Sequence, residues 1–248
     1  MVRELVIVGA GGHGREVLDV VEAVNAASVE RSGEPVWRVL GFADDRLVVG
    51  EPLERLRRRG VEVVGTLDDV AGTEALVVVA VGDPAVRRDL VERAGGLGLH
   101  LAPALVHPAA TLGGDVALGA GVVVAAGSQL TTNVRVGTGA QVNVGCSISH
   151  DVTLGDHVTL SPGCRLTGGV TVEAGSFFGV GALVDMPRPP TAAPSGTGCG
   201  RARRASSRSS WTCRPRPAPP AIRRGSTRGR APGKRRSCPG RRSSTSPR

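Results

Sequence analysis

From Val106 onward the chain places an apolar residue at every sixth position: Val106, Leu112, Leu118, Val124, Leu130, Val136, Val142, Ile148, Leu154, Leu160, Leu166, Val172, Phe178 and Val184, without one insertion. A second series in the same period is small or β-branched: Val116, Val122, Ser128, Val134, Ala140, Cys146, Val152, Val158, Cys164, Val170, Ser176 and Ala182. Gly or Asn often follows the larger residue, as at Gly119, Gly137, Asn143, Gly155 and Gly179. A period of six matches neither an amphipathic helix nor a simple alternating strand. It matches a parallel β-helix, in which six residues make one short strand and one turn. Three such sides close a triangular coil, so that residues eighteen apart stack at the sheet spacing of roughly 4.8 Å. The larger apolar series then fills the interior, and the small series occupies the points where the wall turns.

The first hundred residues follow a different pattern. Leu5-Val6-Ile7-Val8 reads as a buried strand, Gly9-Ala10-Gly11-Gly12-His13-Gly14 as a loop, and Arg15 to Val24 as a helix with Val17, Leu18, Val20, Val21 and Val24 apolar. Strand, glycine loop and helix together aim backbone N–H groups at a phosphate. Gly9, Gly11 and Gly14 also satisfy the spacing of a dinucleotide fingerprint, but no acid stands cleanly about twenty residues on, where a ribose partner is expected. The following elements are a strand from Val36 to Phe42 ending in Asp44-Asp45, a helix from Pro52 to Arg59, and a short strand from Val61 to Val64. A buried strand from Leu76 to Val81 then ends at Gly82-Asp83, and a helix runs from Pro84 to Ala94. Alternating strands and helices predict a small parallel Rossmann-like α/β domain whose ligands sit at the carboxyl ends of the strands. Gly11 to Gly14, Asp44-Asp45 and Gly82-Asp83 all fall at that edge.

Charge divides the chain again. Residues 1–185 carry 14 Arg against all 22 acidic residues, a net charge of −8, whereas residues 186–248 carry the other 17 basic residues and no acid. The overall charge of +9 therefore belongs to the tail, and no nucleic-acid partner is expected of the folded part. No apolar run is long enough to span a membrane. Arg3 and Glu4 interrupt any signal-peptide pattern, so a cytoplasmic location is the default. Cys146 and Cys164 are eighteen residues apart and should stack in the wall; no cysteine has metal-ligand spacing, and no metal is expected. His107, His150 and His157 differ in repeat phase, which argues against a zinc site built from three convergent imidazoles.

Both halves together resemble the sialic-acid O-acetyltransferase type of sugar acyltransferase, a family that includes the UDP-4-amino-sugar N-acetyltransferases. The resemblance rests on the glycine loop with its embedded His13, the Asp44-Asp45 strand end and the Val81-Gly82-Asp83-x-x-x-Arg87 segment. It also rests on Val106-His107-Pro108-Ala109 and, most specifically, on the stretch from Asn143 through His150-Asp151 to Gly163. It implies a left-handed β-helix, a homotrimer and acetyl-CoA as co-substrate. His150 would be the general base and Asp151 the residue that orients it. A neutral imidazole near pH 7 can take the proton from a sugar amine or hydroxyl as it attacks the thioester. The resemblance places a nucleotide sugar or sialic-acid-like sugar on Gly11, Gly12, His13, Asp44, Asp45 and Gly82. It places acetyl-CoA near Thr159, Gly168 and Val180. Where the family often has a second His, nine residues after the base, this chain has Thr159, with His157 two residues earlier.

The expected organisation is thus residues 1–103 as the nucleotide-sugar-binding domain, 104–185 as the hexapeptide-repeat acyltransferase domain, and 186–248 as a disordered basic tail. The tail has a second reading. Trp211-Thr212-Cys213-Arg214-Pro215, read from the last base of the Trp codon, can spell Asp-Val-Pro-Ala, and Pro220 to Gly225 in that frame permits Gly-Asn-Pro-Ala-Arg. Both match closing motifs of the resembled family, which points to a frame shift between about Val184 and Cys199. The functional expectation is an acetyl-CoA-dependent sugar acetyltransferase. The alternatives are an inactive or scaffold trimer, made possible by the altered C-terminus, and a serine-type O-acetyltransferase, against which the phosphate loop argues.

Overall fold

The computed structural model describes residues 2–46 and 49–185, all within one compact unit. The expectations for residues 186–248 lie outside the described residues.

The chain begins with strand β1 (Arg3–Val8), helix α1 (Gly12–Ser32), strand β2 (Trp37–Ala43), helix α2 (Glu51–Arg57) and strand β3 (Val63–Gly65). A single 3₁₀ turn (Asp68–Val70), strand β4 (Leu76–Val79) and helix α3 (Pro84–Gly96) follow. The four strands form one parallel sheet in the order β3-β2-β1-β4. In β1, Leu5 and Ile7 bury against Val17, Leu18, Val21 and Phe42, while Val6 and Val8 bury against Leu67, Val70, Val77 and Val79. Both faces of the sheet are therefore covered, as an apolar run without alternation requires.

Helix α1 exceeds its expected length at both ends. No breaker stands between Val24 and Ser32, and it stops only where Gly33 adopts φ 78° and returns its N–H to the Val29 carbonyl at 2.8 Å. At its start, an added Cβ on Gly14 would lie 1.9 Å from the Gly9 carbonyl oxygen, so this helix can meet the sheet only through a bare Cα. Strand β4 ends at Val79 rather than Val81.

From Leu105 to Val184, fourteen two-residue strands begin every six residues and stack into three parallel sheets of four, five and five strands. Partners are eighteen residues apart throughout, as in Arg135↔Thr153, Gln141↔Thr159 and Ser147↔Arg165. The larger apolar residue is the second residue of each strand. From Val124 to Val172 these side chains and the small series form one buried core. Leu112, in the first coil, is 40% exposed, and Phe177 and Leu183, each the first residue of its strand, are exposed on the outer wall.

A third register lies between those two series. Asp115, Gly121, Gly127, Asn133, Gly139, Gly145, Asp151, His157, Gly163, Gly169, Gly175 and Gly181 all have positive φ. Each coil thus turns its corners through left-handed residues, eight of them glycine and the rest Asp, Asn or His, the types that tolerate this region best. Cys146 and Cys164 are both buried and free, and burial pushes the Cys146 thiol up to about 11.

Candidate active site

His150 precedes one of these corners. Its carbonyl accepts the Gly169 N–H at 2.9 Å from the next coil, and the Asp151 N–H donates to the Thr132 carbonyl at 3.1 Å in the previous one. With φ of 61°, Asp151 is turned so that its Oδ2 reaches His150 Nδ1 at 2.8 Å. Asn133, eighteen residues earlier, donates from Nδ2 to Asp151 Oδ1 at 2.9 Å. The hydrogen bonds from Asn133 first and His150 second hold the Asp151 carboxyl below its ordinary value. Below the ring, an added Cβ on Gly168 would come within 2.4 Å of His150 Cε1, so Gly168 is the seat of the imidazole. The side chain is 64% exposed, and among the described residues Nε2 has no hydrogen-bond partner. The carboxylate at Nδ1 favours the tautomer that leaves a lone pair on Nε2.

The second group of residues lies at the carboxyl edge of the α/β sheet. Strand order reverses between β1 and β4, so the loops after them flank a switch point. Asp44 Oδ2 accepts the Ala10 N–H at 2.9 Å, pinning the glycine loop, and the carboxylate also receives the Arg46 guanidinium and backbone N–H. Burial opposes the Asp44 charge, but the hydrogen bonds from Arg46 and Ala10 outweigh it and hold the carboxyl below its usual range. Asp45 accepts the Leu67 N–H at 3.2 Å and pairs with Arg93. Asp44, Asp45, Arg46, Gly9 and Val81 line a cavity of about 400 Å³. Next to it, α1 is capped by Gly11 with no side-chain cap hydrogen bond and no acid in its first turn, and a Cβ added to Gly11 or Gly82 would meet no atom within 4 Å. Open N–H donors at a helix start favour an anion.

His13 faces the other way, toward the β-helix. Its Nδ1 lies 3.0 Å from Glu16 Oε2 and its Nε2 3.1 Å from Gln141 Oε1, while Gln141 Nε2 donates to the Val79 carbonyl at 3.2 Å. His13, Glu16, Asp19, His107, Gln141 and Asn143 lie around a cavity of about 220 Å³ between α1 and the β-helix. His13 thus lines a different cavity from Asp44 and Asp45, although the sequence places them at one edge.

The residues expected near acetyl-CoA are dispersed. Gly168 is under His150, and Val180 is 80% exposed on the last coil. Thr159, expected near acetyl-CoA, has its hydroxyl turned toward the α/β unit. It is 2% exposed, donates to the Gly82 carbonyl at 2.9 Å and accepts from Arg87, whose side chain reaches it from α3. His157 is half-buried, and its Nδ1 has no hydrogen-bond partner among the described residues; burial first, then the charge of Arg87, lowers its pKa. The residues that sequence reasoning missed are Arg46, Gln141 and the contacts of Arg87. Among the described residues, no group of three or more His, Cys, Asp or Glu converges to hold a metal, and no helix is long and apolar enough to cross a membrane.

Residues 4–94 match the PglD N-terminal domain family. A histidine-to-asparagine variant of perosamine N-acetyltransferase from Caulobacter crescentus, solved in complex with CoA and GDP-perosamine, is 27% identical with a TM-score of 0.56, covering 75% of this chain and 92% of its own. The acetyltransferase domain of PglB from Neisseria gonorrhoeae FA1090 is 30% identical, covering 75% of this chain and 94% of its own, with a TM-score of 0.42. WeeI from Acinetobacter baumannii AYE, at 24% identity, 74% and 89% coverage and a TM-score of 0.55, shares the fold. No curated protein matches the chain. The fold is a Rossmann-like α/β unit followed by a left-handed parallel β-helix, the class expected from the sequence. Residues 4–94 thus carry a PglD N-terminal domain, and the chain, similar over both parts to a sugar N-acetyltransferase, is an acyltransferase.

Proposed function

We propose that this protein transfers the acetyl group of acetyl-CoA to an amino group of a nucleotide-activated sugar, with His150 as general base. The observation that carries the reading is the exposed His150 imidazole, seated on Gly168 and tied at Nδ1 to Asp151 at 2.8 Å, with Nε2 unpartnered among the described residues. As the sugar nitrogen attacks the thioester carbonyl, Nε2 takes its proton. Asp151 stabilises the imidazolium that results, and the proton passes to the departing CoA sulfur as the C–S bond breaks. Gly11, Gly12 and Gly82 are the proposed sites for the nucleotide diphosphate, with Asp44 and Asp45 bracing the loop and His13 turned toward the sugar. Among the described residues, no hydrogen bond or ion pair joins His150 or Asp151 to the α/β unit. A homotrimer in which the base of one protomer meets the acceptor of the next, with acetyl-CoA between neighbouring β-helices at Gly168 and Val180, accounts for that separation. The choice of nitrogen over oxygen is supported by the perosamine N-acetyltransferase at 27% identity.

The test is to incubate the full chain with acetyl-CoA and a GDP- or UDP-linked 4-amino sugar and to analyse the product by mass spectrometry and mild alkali. An alkali-stable acetamide is expected. An alkali-labile ester, or transfer only to serine, overturns the reading. Gel filtration checks the trimer.

A further inference from the structure

We infer that Arg87 is a positioning residue, holding the Val81–Asp83 loop of the acceptor edge at a fixed place on the β-helix. The inference rests on the proposed function for the name of the acceptor, but its geometry stands apart from it.

Arg87 is the largest fully buried side chain among the described residues. A guanidinium has five N–H donors, fixed in one plane. Here every one has an acceptor within reach. Nε donates to the Gly139 carbonyl at 2.7 Å, and Nη2 to the His157 carbonyl at 2.5 Å and to Thr159 Oγ1 at 2.8 Å. Nη1 donates back to the carbonyls of Val81 at 2.6 Å and Gly82 at 3.2 Å. Among the described residues, no carboxylate hydrogen-bonds the group, although the charge of Asp83 acts on it.

Gly139 and His157 are eighteen residues apart, stacked left-handed corners of successive coils. Their carbonyls stand one coil rise apart, and one edge of the guanidinium bridges that step while the other edge grips the loop after β4. A lysine ammonium has three donors and no plane, so it cannot serve both edges. Thr159 closes the arrangement, giving its own proton to the Gly82 carbonyl at 2.9 Å. The loop is thereby held by two donors, one from α3 and one from the β-helix wall. Burying a charge without a counter-ion carries a large desolvation cost. A fully satisfied network offsets that cost and leaves one permitted pose for the loop. The same cavity that contains Asp44 and Asp45 is lined by Val81, so a shift of this loop reshapes the acceptor edge while leaving His150 untouched.

Arg87→Lys and Arg87→Gln in the full chain test the assignment. In both, KM for the nucleotide amino sugar is expected to rise at least ~10-fold while KM for acetyl-CoA stays within ~2-fold. Hydrogen exchange in peptides covering 80–84 and 157–160 should quicken while peptides around His150 keep their protection. The inference is overturned if Lys restores both the acceptor KM and the protection. It is also overturned if both KM values rise together and protection falls throughout the chain, the mark of a structural role alone. If either variant does not fold, Thr159→Val removes one acceptor from Arg87 and one donor to Gly82, and a ~3-fold rise in acceptor KM is expected; no change overturns the inference. If the wild type acetylates no nucleotide sugar, the functional reading falls, but the exchange comparison still decides on Arg87.

Discussion

The two halves of this molecule bury apolar side chains by different routes. In the β-helix every strand pairs with residues eighteen positions away, so each coil repeats the contacts of the last. In the α/β unit, β1 pairs Arg3 with Trp37 on one side and Leu5 with Leu76 on the other, so its core closes only when distant segments meet. The β-helix is a stack of near-equivalent layers whose stability is close to a sum of neighbour terms. The α/β unit buries one cluster on each face of its sheet, each drawn from distant segments. The division carries over to chemistry. The repeat supplies a rigid corner on which one imidazole is displayed, and the irregular unit supplies loops that shape a cavity.

The largest effects should separate the two kinds of core. Leu154→Ala and Leu5→Ala each remove a buried leucine and should each cost about 2–5 kcal/mol in chemical denaturation. Hydrogen exchange should differ between them. Protection should fall only in the coils next to Leu154, but across the whole sheet for Leu5. Equal spreading in both would end the distinction. Gly14→Ala drives a methyl into the Gly9 carbonyl and should cost about 3 kcal/mol, with weaker acceptor binding. Gly168→Ala should barely change stability, because the atom it meets belongs to the exposed ring of His150. Displacing that ring should lower kcat about 10²-fold with KM for the sugar nearly unchanged, measured by initial rates. Gly145→Ala meets no atom within 4 Å, so only its left-handed φ of 67° is penalised, and a loss of about 1 kcal/mol is expected by thermal melting. The smallest effect concerns pH. The Asp44 carboxyl lies below its ordinary value, so its stabilising bonds are fully present above the usual carboxylate range and disappear as pH falls through the lower folded value. The melting-temperature gap between wild type and Asp44→Asn should be constant near neutrality and vanish in acid.

How much of this was legible in the sequence follows the same division. The six-residue period fixed the strands, the interior and the stacking of Cys146 on Cys164, because each contact repeats at one offset. The left-handed corners at Gly127, Asn133, Gly139 and Asp151 were written in the same period but are masked by mixed residue types, since Asp, Asn and His substitute for Gly there. In the α/β unit, helix α1 outran its apolar pattern because propensity and the Gly33 stop decide its end, not amphipathicity. Thr159 was expected near acetyl-CoA, since nothing in its strand reveals that Arg87 and the Gly82 carbonyl take its hydroxyl. The partners of Arg87 were illegible for a related reason: four of five are backbone carbonyls, brought together from three distant segments, and carbonyls leave no mark in a sequence.

The most direct measurement is kcat for acetyl transfer to a nucleotide amino sugar by wild type and His150→Ala, with circular dichroism and gel filtration confirming the same fold and assembly. If one imidazole displayed at a β-helix corner removes the proton, kcat falls about 10²–10⁴-fold while KM for acetyl-CoA changes little. A His150→Ala protein that turns over at the wild-type rate contradicts the assignment and moves the chemistry to another group.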